Sequence, residues 1–170
     1  VKETLQIHSQ AKVEFYKTYL ERYLAILCKS QYIKSINIYD VFCGKGIYDD
    51  GGKGSPIVAY DTIKRIYESF DFPSKTNITL IINDKSAERI SIVNDYITKN
   101  KHPYCNVNPY NLDIDDMFDT ILPVINNTPN DTRNLIFIDP YGYKNIKKEL
   151  LYELMKNGKT EIILFLPISH

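Results

Sequence analysis

Four clusters of acidic and glycine residues recur along the chain, each just after an apolar run. The first is Asp40-Val41-Phe42-Cys43-Gly44-Lys45-Gly46, a carboxylate followed by two closely spaced glycines. Glycine lacks Cβ, so the spacing permits a sharp turn and lets backbone approach a ligand. It also suits an ordinary strand-to-helix turn. The second cluster is Asn83-Asp84, where an acid can accept two hydrogen bonds from ribose hydroxyls or sit in a solvated turn. The third is Asp113, ahead of Ile114-Asp115-Asp116. Its carboxylate can hold an adenine amino group, and it serves equally as a helix N-cap. The fourth is Asp139-Pro140-Tyr141-Gly142. A carboxylate directed by a rigid proline can accept from a substrate amine while Tyr141 offers a ring for stacking. The same residue types also make β-turns.

The elements that must position these clusters follow from hydrophobic spacing. From Ser9 to Lys29, Val13, Tyr16, Leu20, Tyr23, Leu24 and Leu27 recur at helical intervals, with Ser9 as N-cap. Ile36 to Phe42 reads as a strand running into the glycine-rich loop. Ser55 and Pro56 then open a helix through Ile57, Tyr60, Ile63, Ile66 and Tyr67, with Ser55 as N-cap and Pro56 at the first helical position. Thr79 to Asn83 predicts a buried strand, and Ser86 caps a helix through Ile90, Val93 and Ile97. A short strand at Cys105 to Val107 precedes a helix through Met117, Phe118 and Ile121. Leu135 to Ile138, a helix near Lys147 to Met155, and a strand from Glu161 to Leu166 complete the series.

Strand and helix alternate, and the strands are apolar almost throughout. That pattern predicts an α/β fold whose parallel sheet is covered by helices on both faces. Right-handed crossovers from a central first strand give a Rossmann-like, doubly wound sheet in the order 3-2-1-4-5, with a flanking N-terminal helix. Ligands on such sheets sit beyond the carboxyl ends of the strands, where the strand order reverses. All four clusters fall there.

Composition excludes other classes. The chain has 170 residues, 44% hydrophobic and 25% charged, which suits a single folded domain. Apolar runs are too short to span a bilayer, and the amino terminus has no signal-peptide core. Cys28, Cys43 and Cys105 are an odd number without a CxxC pair, so neither a disulfide framework nor a metal site is expected, and a reducing cytoplasm is. Lys plus Arg and Asp plus Glu are both 21. A neutral chain argues against overall nucleic-acid affinity while leaving room for a local basic patch. The missing third glycine and the late helix start disfavour a dinucleotide pyrophosphate site.

With these clusters in place the chain resembles the class I S-adenosylmethionine-dependent methyltransferases. More narrowly, it resembles the three-Cys-motif partner (TcmP) family of bacterial proteins with a methyltransferase-like fold. The matching stretches are YDVFCGKGIYDDGGKGSPIVA (Tyr39 to Ala59), NDKSAERI (Asn83 to Ile90) and FIDPYGY (Phe137 to Tyr143), and the first helix with His8 and Lys12 also fits. The resemblance implies S-adenosylmethionine as cofactor. Asp40, Gly44 and Gly46 would line its methionine and ribose side, Asp84 its ribose and Asp113 its adenine, while Asp139 and Tyr141 would face the acceptor.

Two departures matter. Lys45 stands where a proline or small residue is common, and Asp139-Pro140-Tyr141-Gly142 lacks the second proline of the DPPY motif of amino-methylating DNA and RNA enzymes. Class I folds commonly add two strands after the fifth, so residues 1–170 are expected to be one cofactor-binding domain of a longer protein. The expected activity is methyl transfer to a macromolecule, a nucleic-acid base among the candidates. The rival is a non-catalytic partner subunit of a bacterial defence or processing complex, with a three-Cys-motif protein as partner. The segment Asp49 to Gly54 is expected to be a mobile loop over the ligand. Oligomeric state is left open.

Overall fold

A computed structural model describes residues 4–140 and 146–166. Ten elements alternate in the expected sense: α1 (Ile7–Leu27), β1 (Ser35–Asp40), α2 (Ser55–Ser69), β2 (Asn77–Asn83), α3 (Ala87–Lys99), β3 (Asn106–Tyr110), α4 (Ile114–Asn126), β4 (Thr132–Ile138), α5 (Lys148–Met155) and β5 (Thr160–Leu164). The five strands form one sheet in the order 3-2-1-4-5, and every neighbouring pair is parallel.

Strand alternation sorts the apolar side chains into two cores. Ile36 and Ile38 of β1, Leu80 and Ile82 of β2, and Leu135 and Phe137 of β4 join α1, α2 and α3 on one face. Tyr39, Ile81, Ile136 and Ile138 point the other way and pack with α4 and with Leu154 of α5. Successive Cβ atoms in a strand point to opposite faces, so a strand buried on both sides must be apolar throughout. Helix α1 buries Tyr16, Leu20, Tyr23 and Leu24 at helical spacing. The Tyr16 ring stacks on Phe137 with centroids 4.2 Å apart.

Several boundaries differ from the sequence reading for local reasons. Helix α1 starts ahead of Ser9, at Ile7, with Gln6 as an N-cap that makes no side-chain bond. Gly54 rather than Ser55 caps α2, because the Ser55 hydroxyl is taken by Asp40 at 2.5 Å. Ser86 does cap α3, accepting from the Arg89 amide. Strand β3 runs on to Tyr110 through Pro109, which an edge strand tolerates because one side of its backbone needs no ladder partner. Among the described residues no helix is long and apolar enough to cross a membrane.

Candidate functional site

The order of the sheet reverses at β1, which lies between β2 and β4. Their carboxyl ends therefore open into a crevice. Asp40 ends β1 with no exposed surface. Its Oδ2 accepts the Ser55 hydroxyl at 2.5 Å, while Oδ1 has no partner among the described residues. Burial pushes this carboxyl up to about 7, with Asp139 and Asp84 adding to the rise and the Ser55 hydroxyl and Phe42 amide opposing it. Asp40 is not among the residues that line the crevice.

Gly44 and Gly46 both have positive φ, 64° and 75°, but their surroundings differ. A Cβ on Gly44 would meet nothing within 4 Å, whereas one on Gly46 would stand 2.5 Å from Val93 Cγ2. Gly44 thus leaves a vacant cradle on the surface of the crevice, and Gly46 lets the loop pack against α3. The loop then folds back. Ile47 bridges Lys53 in antiparallel fashion, the Gly54 amide donates to the Gly46 carbonyl at 2.6 Å, and Lys53 pairs with Asp61 at 2.7 Å. Asp50 accepts from the Leu5 amide at 3.2 Å. The segment expected to be a mobile cover is a short hairpin, fastened to α2 and to the residues before α1.

Asp84, at the end of β2, is buried and is neither a solvated turn residue nor an open carboxylate. It accepts from the Gly44 amide at 3.1 Å, from the Ser86 amide at 2.9 Å and from the Arg89 guanidinium at 3.5 Å. It ties the glycine loop to the start of α3. Asn83 does comparable work: its amide nitrogen donates to the Val41 and Leu112 carbonyls, and its oxygen accepts from the Leu112 amide. Asp113 takes the capping alternative, its side chain accepting from the Ile114 amide at 2.7 Å. It is exposed and is not among the residues that line the cleft.

Asp139 follows β4 and is held by a residue the sequence did not single out for it. Lys12 of α1 donates to its Oδ1 at 2.6 Å, both side chains being about a quarter exposed at 28% and 26%. Oδ2 accepts no hydrogen bond among the described residues. Tyr141, the expected stacking residue, lies outside the described residues.

A cleft of about 580 Å³ joins these parts, lined by His8 and Lys12 of α1, by Phe42 and Gly44, by Arg89, and by Asp139 and Pro140. Arg89 also borders an adjoining groove of about 410 Å³ that Asp84 lines. The site therefore presents two cation–carboxylate pairs, Lys12–Asp139 and Arg89–Asp84, flanking an open glycine. Such a mixed lining suits a ligand carrying both an amine and a carboxylate. It suits a diphosphate poorly, because the carboxylates of Asp40, Asp84 and Asp139 lie close enough together to act on one another.

Among the described residues no group of His, Cys, Asp and Glu is arranged to hold a metal ion. Cys43 borders the cleft but is buried, and burial pushes its thiol up, away from thiolate chemistry. Compared with known proteins, the chain matches no family model and no curated protein.

Proposed function

We propose that the cleft binds S-adenosylmethionine and that the protein transfers its methyl group to a macromolecular acceptor. One observation carries this reading most directly: the open cradle at Gly44 lies in a cleft that Asp139 also lines. A cofactor and an acceptor held there would share one opening, as direct group transfer requires. The mixed-charge lining, with Lys12, Arg89 and Asp139 around the opening, fits an amino-acid moiety. The resemblance of the segments from Tyr39 to Ala59, Asn83 to Ile90 and Phe137 to Tyr143 to the three-Cys-motif partner family supports the same assignment.

When bound, the cofactor supplies a methyl group made electrophilic by its sulfonium. The chain's own residues would do the rest. Gly44 would let the ligand lie against backbone, and the Gly44 amide stays fixed because it donates a hydrogen bond to Asp84. Lys12 would hold Asp139 by one oxygen, leaving the other to accept from an acceptor N–H. Phe42 and Pro140 would provide apolar walls that exclude water. Holding two reactants in attack geometry can supply about 7–11 kcal/mol of the barrier.

A second reading has its own observation. The Lys12–Asp139 pair already satisfies part of the carboxylate said to meet the acceptor, which favours a non-catalytic partner subunit that keeps the pocket. Labelled-methyl transfer from S-adenosylmethionine to cellular nucleic acid and protein separates the two. A methyltransferase labels an acceptor, and Asp139→Ala abolishes labelling while cofactor affinity stays within a few-fold. Binding without labelling of any acceptor fits the partner subunit.

A further inference from the structure

The amino-terminal end of the sheet, about 20 Å from the cleft at roughly 3.3 Å per strand residue, carries a different chemistry. Residues 28–34, 70–76 and 99–105 lead into β1, β2 and β3, which are neighbours in the sheet. Together they hold five lysines, Lys29, Lys34, Lys75, Lys99 and Lys101, and a single carboxylate, Asp71. All five lysines are exposed. None forms an ion pair among the described residues, whereas Lys12, Lys17, Lys45, Lys53, Lys64 and Lys156 all do. The chain is neutral overall, so this end holds a local excess of positive charge.

Aromatic rings interleave with those lysines. Tyr67, Phe70, Phe72 and Tyr104 line a pocket of about 330 Å³. Tyr67 and Tyr104 stack with centroids 5.3 Å apart, and Phe70 and Phe72 stack at 5.7 Å. Phe70 is 42% exposed and Tyr32 is 59% exposed. Lys29 lies over the Phe70 ring at 5.3 Å, which sets an ammonium at the pocket's edge, and Lys75 borders the pocket itself. Ser74, also in the lining, has a buried hydroxyl with no partner among the described residues, and Asp71 offers an acceptor beside it.

We propose that this end of the molecule binds single-stranded nucleic acid, taking a base into the aromatic pocket while the lysines meet phosphates. Rings that accept a base face and flanking cations that track the backbone are what such binding requires. A duplex keeps its bases stacked and unavailable to a recessed pocket. A membrane surface offers no planar ring to fill a recess lined by aromatic side chains. The Asp71 carboxylate, exposed at the pocket, can accept from an amino group on the edge of the inserted base. The inference stands apart from the cleft and does not depend on methyl transfer.

The test is fluorescence anisotropy of a labelled 12-nucleotide single strand, its duplex and anionic phosphatidylserine vesicles, run with the whole chain and without S-adenosylmethionine. The single strand should bind more tightly than the duplex, with affinity falling as salt rises. Phe70→Ala should weaken binding about five-fold or more. Lys29→Gln with Lys75→Gln should lower the slope of log affinity on log salt by about 1.4, and Lys147→Gln with Lys148→Gln should change nothing. The lysine replacements are at exposed positions, so folding, checked by thermal unfolding, is not at issue for them. Absence of binding at low salt would overturn the proposal. So would equal affinity for duplex, indifference to these replacements, or binding to vesicles alone.

Discussion

Replacing Asp40 with asparagine should stabilise the protein above neutral pH, and the carboxyl's surroundings set the amount. Asp40 has no exposed surface, one oxygen bonded to Ser55 and the other unpartnered. Burial, then the charges of Asp139 and Asp84, raise its titration from 3.8 to about 7. Between those two values the folded chain binds a proton that the unfolded chain has released. Stability from this group is therefore complete below 3.8 and lost as pH rises through about 7. At about 1.4 kcal/mol per pH unit, the window is worth about 4 kcal/mol. Asparagine cannot ionise, keeps an oxygen for Ser55, and leaves its NH₂ in the place that the protonated carboxyl also leaves unpartnered, so it matches the neutral acid to within about 1 kcal/mol. A net gain of about 3–4 kcal/mol at pH 8 remains, falling to about zero near pH 4.

Urea unfolding of both proteins between pH 4 and 8 measures the difference. His102 acts in the opposite sense, since burial lowers its imidazole and its contribution is lost as pH falls. It is common to both proteins and drops out of the difference. Parallel stability–pH curves for the two proteins would refute the reasoning.

Gly46→Ala should destabilise more than Gly44→Ala. Both pay about 1–2 kcal/mol for the left-handed backbone, but only Gly46 sets a Cβ 2.5 Å from Val93 Cγ2, adding about 1–3 kcal/mol of overpacking. Urea midpoints should fall in that order, and Gly44→Ala should fold normally while losing ligand affinity. Asp84→Ala should cost about 1–3 kcal/mol of stability because the Gly44 and Ser86 amides lose their acceptor; an unchanged urea midpoint would return Asp84 to a solvated turn.

Much of the fold was readable because strands buried on both faces must be apolar. Leu135 to Ile138 has no other plausible placement, and β1 and β2 follow the same logic. What sequence conveyed less well were contacts made at long range. Ser55 looks like an N-cap by type and position, yet its hydroxyl is claimed by Asp40 from a strand end. Lys12 and Asp139 are 127 positions apart, and no local pattern announces their pairing. His8 and Lys12 stood out only through the family resemblance. Asp84 and Asp113 show the same limit: an acid at a strand end is visible in the sequence, while whether backbone amides already use its oxygens is decided by the packed loops. The acids at the strand ends were legible, and the hydrogen bonds they make were not.

Calorimetric titration with S-adenosylmethionine and with its demethylated product tests the central claim most directly. The cleft is expected to bind both, each at one site per chain, with Gly44→Ala weakening both. Near pH 7 the sulfonium form should drive proton release from Asp40, seen as a binding enthalpy that changes with buffer and loses that dependence in Asp40→Asn. No binding of either compound, or binding of NADH in their place, would contradict the account.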